Sequence, residues 1–134
     1  MATKQKALPI YLSGPVSLCL PMHPPNNNLY LSVGQRRRVL SPIARAWKED
    51  AGDLARLAML RRKPTNQPVG VVVEMLLTHD RDVDSVKVLL DCLTGVVWED
   101  DSQAQDLHIR KRRLRRGEGE ARSIVTVYPL EATE

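Results

Sequence analysis

The stretch from Pro68 to Leu77 constrains this chain more than any other. Val69, Val71, Val73, Met75 and Leu77 recur at every second position, the period that places side chains on one face of a strand. The strand leads straight into Thr78-His79-Asp80-Arg81-Asp82-Val83-Asp84, so acidic side chains are expected where it ends. At 134 residues there is room for one domain with one modest core. The aromatics are few (Trp47, Trp98, Tyr11, Tyr30 and Tyr128, with no Phe), so that core must be aliphatic. A platform that stacks single-stranded bases on several rings is a poor fit for the same reason.

Further elements follow from local chemistry. Two short strands are expected over Leu8–Leu12 and Val16–Leu20, divided by Ser13-Gly14-Pro15, and another over Leu29–Val33. Pro21 to Asn28 is a loop, and Gly34 with Arg36-Arg37-Arg38 reads as an exposed turn or hairpin tip. Ser41-Pro42 opens a helix, with serine as cap and proline at the first position, that ends near Arg62. Its apolar face is expected to be Ile43, Trp47, Ala51, Leu54 and Ala58. A shorter helix covers Ser85 to Leu93 and stops at Gly95. After the acidic turn Glu99-Asp100-Asp101, Leu107 and Ile109 alternate with His108, Arg110 and Arg112 in a half-buried strand. Gly117 to Glu120 is expected to close a hairpin with a last strand, Ile124–Tyr128. The fold class is α+β: a single-domain mixed sheet with two helices packed on one side. One domain spans 1–134, with residues 1–14 either part of it or an N-terminal extension.

Charge is segregated. The net charge is +4, and cations gather at Arg36–Arg38, Arg61-Arg62-Lys63 and Arg110–Arg116, whereas acids gather at 80–84 and 99–101. Such a chain can hold a phosphate backbone on one surface and a cation on another, although any one cluster taken alone reads equally as a solvated face. Cys19 and Cys92 are far apart with no CxxC spacing, which suits buried thiols in a reducing cytosol. Pro9, Ser13, Gly14 and Pro15 interrupt the N-terminal apolar stretch, so export is not expected, and no run approaches the about 18 apolar residues of a membrane span.

Asp82 and Asp84 are two apart, so in extended backbone both carboxylates face one point. Asp100 and Asp101 follow the next helix. Clustered carboxylates repel one another unless a divalent cation joins them, and oxygen ligands suit Mg²⁺. By spacing alone, aspartates at strand and helix ends are more often turn formers or caps. Lys87 either pairs with Asp91 four residues on, or lies beside the acidic cluster and touches a phosphate.

The run Arg81-Asp82-Val83-Asp84-Ser85-Val86-Lys87, continued by Asp91-Cys92-Leu93 and Trp98-Glu99-Asp100-Asp101-Ser102-Gln103, resembles the signature of the RusA-type Holliday junction resolvases. Pro24-Pro25-Asn26-Asn27-Asn28 is similar to that family's N-terminal Pro-Pro-Ser-Asn-Asn loop, and with the basic stretch the likeness spans 16–130 in order. The resemblance implies a homodimeric endonuclease cutting four-way DNA junctions with Mg²⁺, for which Mn²⁺ substitutes, in the cytoplasm of a bacterial or phage-infected cell. It implies catalytic Asp82, Asp84 and Asp101 as metal ligands with Asp100 as a lesser fourth, and Lys87 as the essential lysine. Contacts to DNA fall on Asn27, Asn28, Arg36, Arg37, Arg38, Arg110, Lys111, Arg112, Arg113, Arg115 and Arg116. The chain departs from the pattern at Ser85, where the family has Asn, and is one residue shorter before the lysine; anchoring on Asp91-Cys92-Leu93 selects Lys87 over Val88. An inactive junction-binding protein of the same fold is the alternative, and a phosphoesterase acting on a small nucleotide is a third reading.

Overall fold

A computed structural model describes residues 8–24, 30–33, 37–80 and 86–130. Its elements run β1 (Val16–Pro21), β2 (Tyr30–Val33), β3 (Arg37–Leu40), α1 (Pro42–Met59), β4 (Val69–Leu77), α2 (Val86–Asp91), β5 (Ala104–Arg113) and β6 (Arg122–Pro129). A four-stranded mixed sheet has the order β1-β6-β4-β5, and β2 and β3 form a separate antiparallel pair. This is the α+β class expected, a mixed sheet with two helices.

Both inner strands owe their position to apolar content. β4 buries Val69, Val71, Val73, Met75 and Leu77 towards the core, and register brings β6's Val125 and Val127 beside Val73 and Val71. β5 pairs with β4 in parallel, and the connection through α2 returns the chain to the same end of the sheet. The anticipated β5–β6 hairpin does not form, because β4 lies between the two strands. Seven of the ten β5 residues are exposed, its whole basic end among them, a composition that central strands cannot absorb and that protects an edge from pairing with other chains. β6, with its alternating valines, takes the interior place instead.

Helix α1 begins as read: the Ser41 hydroxyl accepts from the Ala44 amide at 3.1 Å and Pro42 takes the first position. Its buried face is turned from the one expected. Ala44, Trp47, Ala51, Gly52, Ala55 and Met59 are buried, whereas Ile43 is 67% exposed and Leu54 37%. Small residues let the helix axis approach the sheet, and the Trp47 indole then donates to the Pro21 carbonyl at 2.8 Å. Three other readings need correction. Residues 8–13 adopt no regular element, although Leu12 is buried and the Ile10 amide donates to Asn66 at 2.8 Å. Arg37 and Arg38 belong to β3 rather than to a turn. Cys92 is buried, but Cys19 faces solvent because outward positions alternate along β1.

Candidate functional site

The acidic turn before β5 is a built structure. Asp100 caps the short 3-10 turn Asp101–Gln103, accepting from the Ser102 amide and hydroxyl. The Gln103 amide clamps the turn from both ends. Its Oε1 accepts from the amides of Glu99 (3.1 Å) and Asp100 (2.8 Å), and its Nε2 donates to the carbonyls of Thr65 (2.8 Å) and Gln67 (2.9 Å). Beneath it Trp98 is fully buried and donates to the Thr94 hydroxyl at 3.1 Å. A turn that would be mobile if formed only from exposed acids is therefore tied to the loop leading into β4. Gln103 received no role from sequence reasoning; an Asp three residues before a Gln is the capping-box spacing that could have exposed it.

These bonds separate the two neighbouring aspartates. Asp100's carboxylate is engaged in the cap, while Asp101 is exposed and, among the described residues, its carboxylate has no hydrogen bond or ion pair. Parallel register sets Ala104 beside Val69, so this turn lies at the end of the sheet where β4 starts. At the other end, Asp80 meets the Lys111 ammonium at 3.1 Å. The eight register steps along β4 between these ends amount to about 26 Å at 3.3 Å per residue. Asp82 and Asp84, which fall between Asp80 and α2 in sequence, are outside the described residues, as are Asn27, Asn28 and Arg36. Among the described residues no three His, Cys, Asp or Glu side chains gather as a metal site.

Lys87 is exposed on α2, whereas its neighbours Val86 and Val88 are buried. The alternative alignment would have put Val88, a core residue, at the lysine's place. Among the described residues the Lys87–Asp91 ion pair is not formed.

The basic segment divides along β5. His108, Arg110 and Arg112 stand on the helix-free face beside Val72, Glu74 and Leu76, and Lys111 and Arg113 point the other way. Acids already engage Lys111 through Asp80 and Arg112 through Glu118 (3.0 Å). The side chains of Arg110, Arg113, Arg115 and Arg116 are exposed and make no ion pair among the described residues. Glu118 organises the loop that follows: the Arg115 amide, and then Arg112, hold its carboxyl below the ordinary glutamate range. Nearer the start of β5, the Tyr128 phenol donates to Asp106 (2.9 Å), which also meets His108 Nε2 at 3.0 Å. That bond to Asp106 pushes the Tyr128 phenol up, and the ring lies over Gly70, where a Cβ would come within 2.1 Å of Cζ.

No curated protein matches the chain. The endodeoxyribonuclease RusA family matches residues 21–128, which take in the acidic turn, α2, the basic edge strand and both inner strands. This chain belongs to the RusA endodeoxyribonuclease family, and is accordingly a DNA endonuclease of the kind that cleaves Holliday junctions.

Proposed function

We propose that Asp82, Asp84 and Asp101 form the catalytic centre, with Asp100 contributing chiefly by shaping the turn, and that the whole chain acts as one endonuclease domain. Nucleases of this family are generally metal-dependent. The observation that carries the assignment is Asp101: an exposed carboxylate without a competing partner among the described residues, held on a turn that four Gln103 hydrogen bonds pin in place. An all-oxygen donor set of this kind suits a hard divalent ion, Mg²⁺ with Mn²⁺ as substitute. When bound, such an ion neutralises charge at the scissile phosphate and lowers the pKa of an attacking water.

The chain's own side chains do the rest. Asp101 would supply an oxygen ligand, and Asp82 and Asp84 two more, a grouping that requires the connection between Asp80 and α2 to close the distance to the acidic turn at the other end of the sheet. Lys87 offers its ammonium to the phosphate, where developing negative charge is strongest. Arg110, Arg113, Arg115 and Arg116 take the backbone of the DNA, together with Asn27, Asn28, Arg36, Arg37 and Arg38 around β2 and β3. Lys111 and Arg112 reach it by exchanging their carboxylate partners for phosphates. A homodimer matches the two-fold character of a four-way junction and gives paired cuts. The setting is the cytoplasm; among the described residues no helix is long and apolar enough to cross a membrane.

The test is cleavage of a labelled four-way junction with and without Mg²⁺ by the wild type and by Asp82→Asn, Asp84→Asn, Asp101→Asn and Lys87→Gln. Each aspartate variant should bind the junction but fail to cut it, and Lys87→Gln should lose about 10²-fold or more in rate. An Asp101→Asn protein that cuts at the wild-type rate refutes the assignment.

A further inference from the structure

We propose that the groove between α1 and the turn after α2 is a second nucleic-acid contact, a track for the phosphate backbone of one DNA arm. This inference rests on the endonuclease reading. Two adjoining cavities make the groove. One, of about 400 Å³, is lined by Arg45, Lys48 and Arg56 of α1 facing Asp91, Cys92 and Thr94. The next, of about 360 Å³, continues past Arg56 and Val96, which both cavities share, to Arg61 and Arg62. Five cations thus line the groove against two acids, Glu49 and Asp91. From Arg45 to Met59 the helix rises about 21 Å at 1.5 Å per residue. That length is several times the spacing between neighbouring phosphates of one strand, so the track fits a polyanion rather than a single anion.

Helix electrostatics and local pairing account for three of these cations but not for Arg45 and Lys48. Arg56 pairs with Asp53 one turn earlier on α1, at 2.5 Å. Arg61 and Arg62 suit the C-terminal end of α1, and Arg62 donates to the Met59 and Ala58 carbonyls there. Arg45 and Lys48 occupy the N-terminal half, where the macrodipole disfavours positive charge, and the first turn carries no acid. Neither has an ion-pair partner among the described residues. Two further features carry a local cost for the shape of the groove. Gly52, in the middle of α1, forgoes about 1 kcal/mol of helix propensity and leaves room in which the Arg56 guanidinium lies. Leu60 and Arg61 both take left-handed backbone (φ 50° and 68°), which L side chains seldom adopt, and the turn they make brings Arg61 to the second cavity. The opposite wall, Asp91 to Val96, is followed in sequence by Trp98 and the acidic turn.

The experiment is metal-free equilibrium binding, in EDTA, of a labelled four-way junction and of a linear duplex with the sequence of one arm, across a KCl series. Arg45→Gln/Lys48→Gln should bind both about 10-fold more weakly near physiological salt and lower the slope of log K against log [KCl] by about 1 to 2, at about 0.9 for each phosphate no longer neutralised. Glu49→Gln should bind about 2- to 3-fold more tightly, as expected for removing one repulsive charge near a phosphate. Thermal melting within about 2 °C of wild type checks that both proteins are folded. Curves that superimpose on the wild type for both variants overturn the track, as does competition by poly-glutamate equal to that by duplex. A wild type that cuts junctions while the slopes stay unchanged retires the groove alone. A wild type that never cuts, with slopes that fall as stated, retires the endonuclease reading and leaves the groove standing.

Discussion

Replacing Gln103 tests whether the acidic turn is held as the structure indicates. Gln103→Ala deletes four hydrogen bonds, each with a net contribution of about 1 kcal/mol. The four are not equal. Glu99 and Asp100 are exposed, so their amides rehydrate when the side chain is lost. The Thr65 carbonyl keeps the Glu99 amide as a donor at 3.1 Å, so the half-buried Gln67 carbonyl is the group least able to recover a partner. The expected loss is therefore about 2 kcal/mol rather than 4, or a fall in Tm of about 6–10 °C for a domain of this size. Gln103→Glu separates the fork of hydrogen bonds from mere side-chain volume. It keeps an acceptor for the two amides but sets a carboxylate against two carbonyls, so it should be at least as destabilising as alanine. If Asp101 is catalytic, loosening its turn by about 1 Å should also slow junction cleavage about 10- to 100-fold at saturating DNA. Thermal melting and single-turnover cleavage read the two effects. Gln103→Ala within about 2 °C of wild type, or Gln103→Glu melting at the wild-type temperature, would refute the reasoning.

Gly70→Ala should cost about 1–2 kcal/mol, since its Cβ displaces the Tyr128 ring and its bond to Asp106, and a Tyr128→Ala background should remove most of that cost in a denaturant double-mutant cycle. Ser123→Ala should stabilise by about 0.5–1 kcal/mol in the same assay, because its hydroxyl is fully buried beside Met75 with no hydrogen-bond partner among the described residues. Burial pushes the Cys92 thiol up to about 12, so at pH 8 a disulfide reagent should modify exposed Cys19 within minutes and Cys92 only after unfolding; two fast thiols would contradict the packing. Glu118's carboxyl lies below its ordinary value, so the order it confers on the 114–121 loop is present above the usual glutamate range and lost as pH falls through the depressed pKa. Hydrogen exchange of the Arg115 amide should quicken across that fall beyond its intrinsic rate, and Glu118→Gln should abolish the transition.

Local pattern in this chain reached a long way. Period-two alternation identified β4, the Ser41-Pro42 pair located the start of α1 to the residue, and the ordered motifs from Pro24 to Gln103 pointed to the family that residues 21–128 match. These features are encoded by neighbours in sequence, where propensity and spacing act directly. Tertiary structure decided what depends on competition between distant segments. Sequence adjacency suggested that β5 and β6 pair, but β4 is buried along its length and has two hydrogen-bonding edges to satisfy, so it takes both strands as neighbours and leaves the arginine-rich one at the rim. Likewise α1 buries its alanines rather than Ile43 and Leu54, since close approach to the sheet outweighs the size of any one side chain. The aspartates show the same division. Sequence placed acids in a pair before α2 and a pair before β5, and the family resemblance ranked Asp100 below Asp101; folding supplied a physical difference, Asp100 consumed in a cap and Asp101 left exposed beside it, because that difference lies in the hydrogen bonds of Ser102 and Gln103.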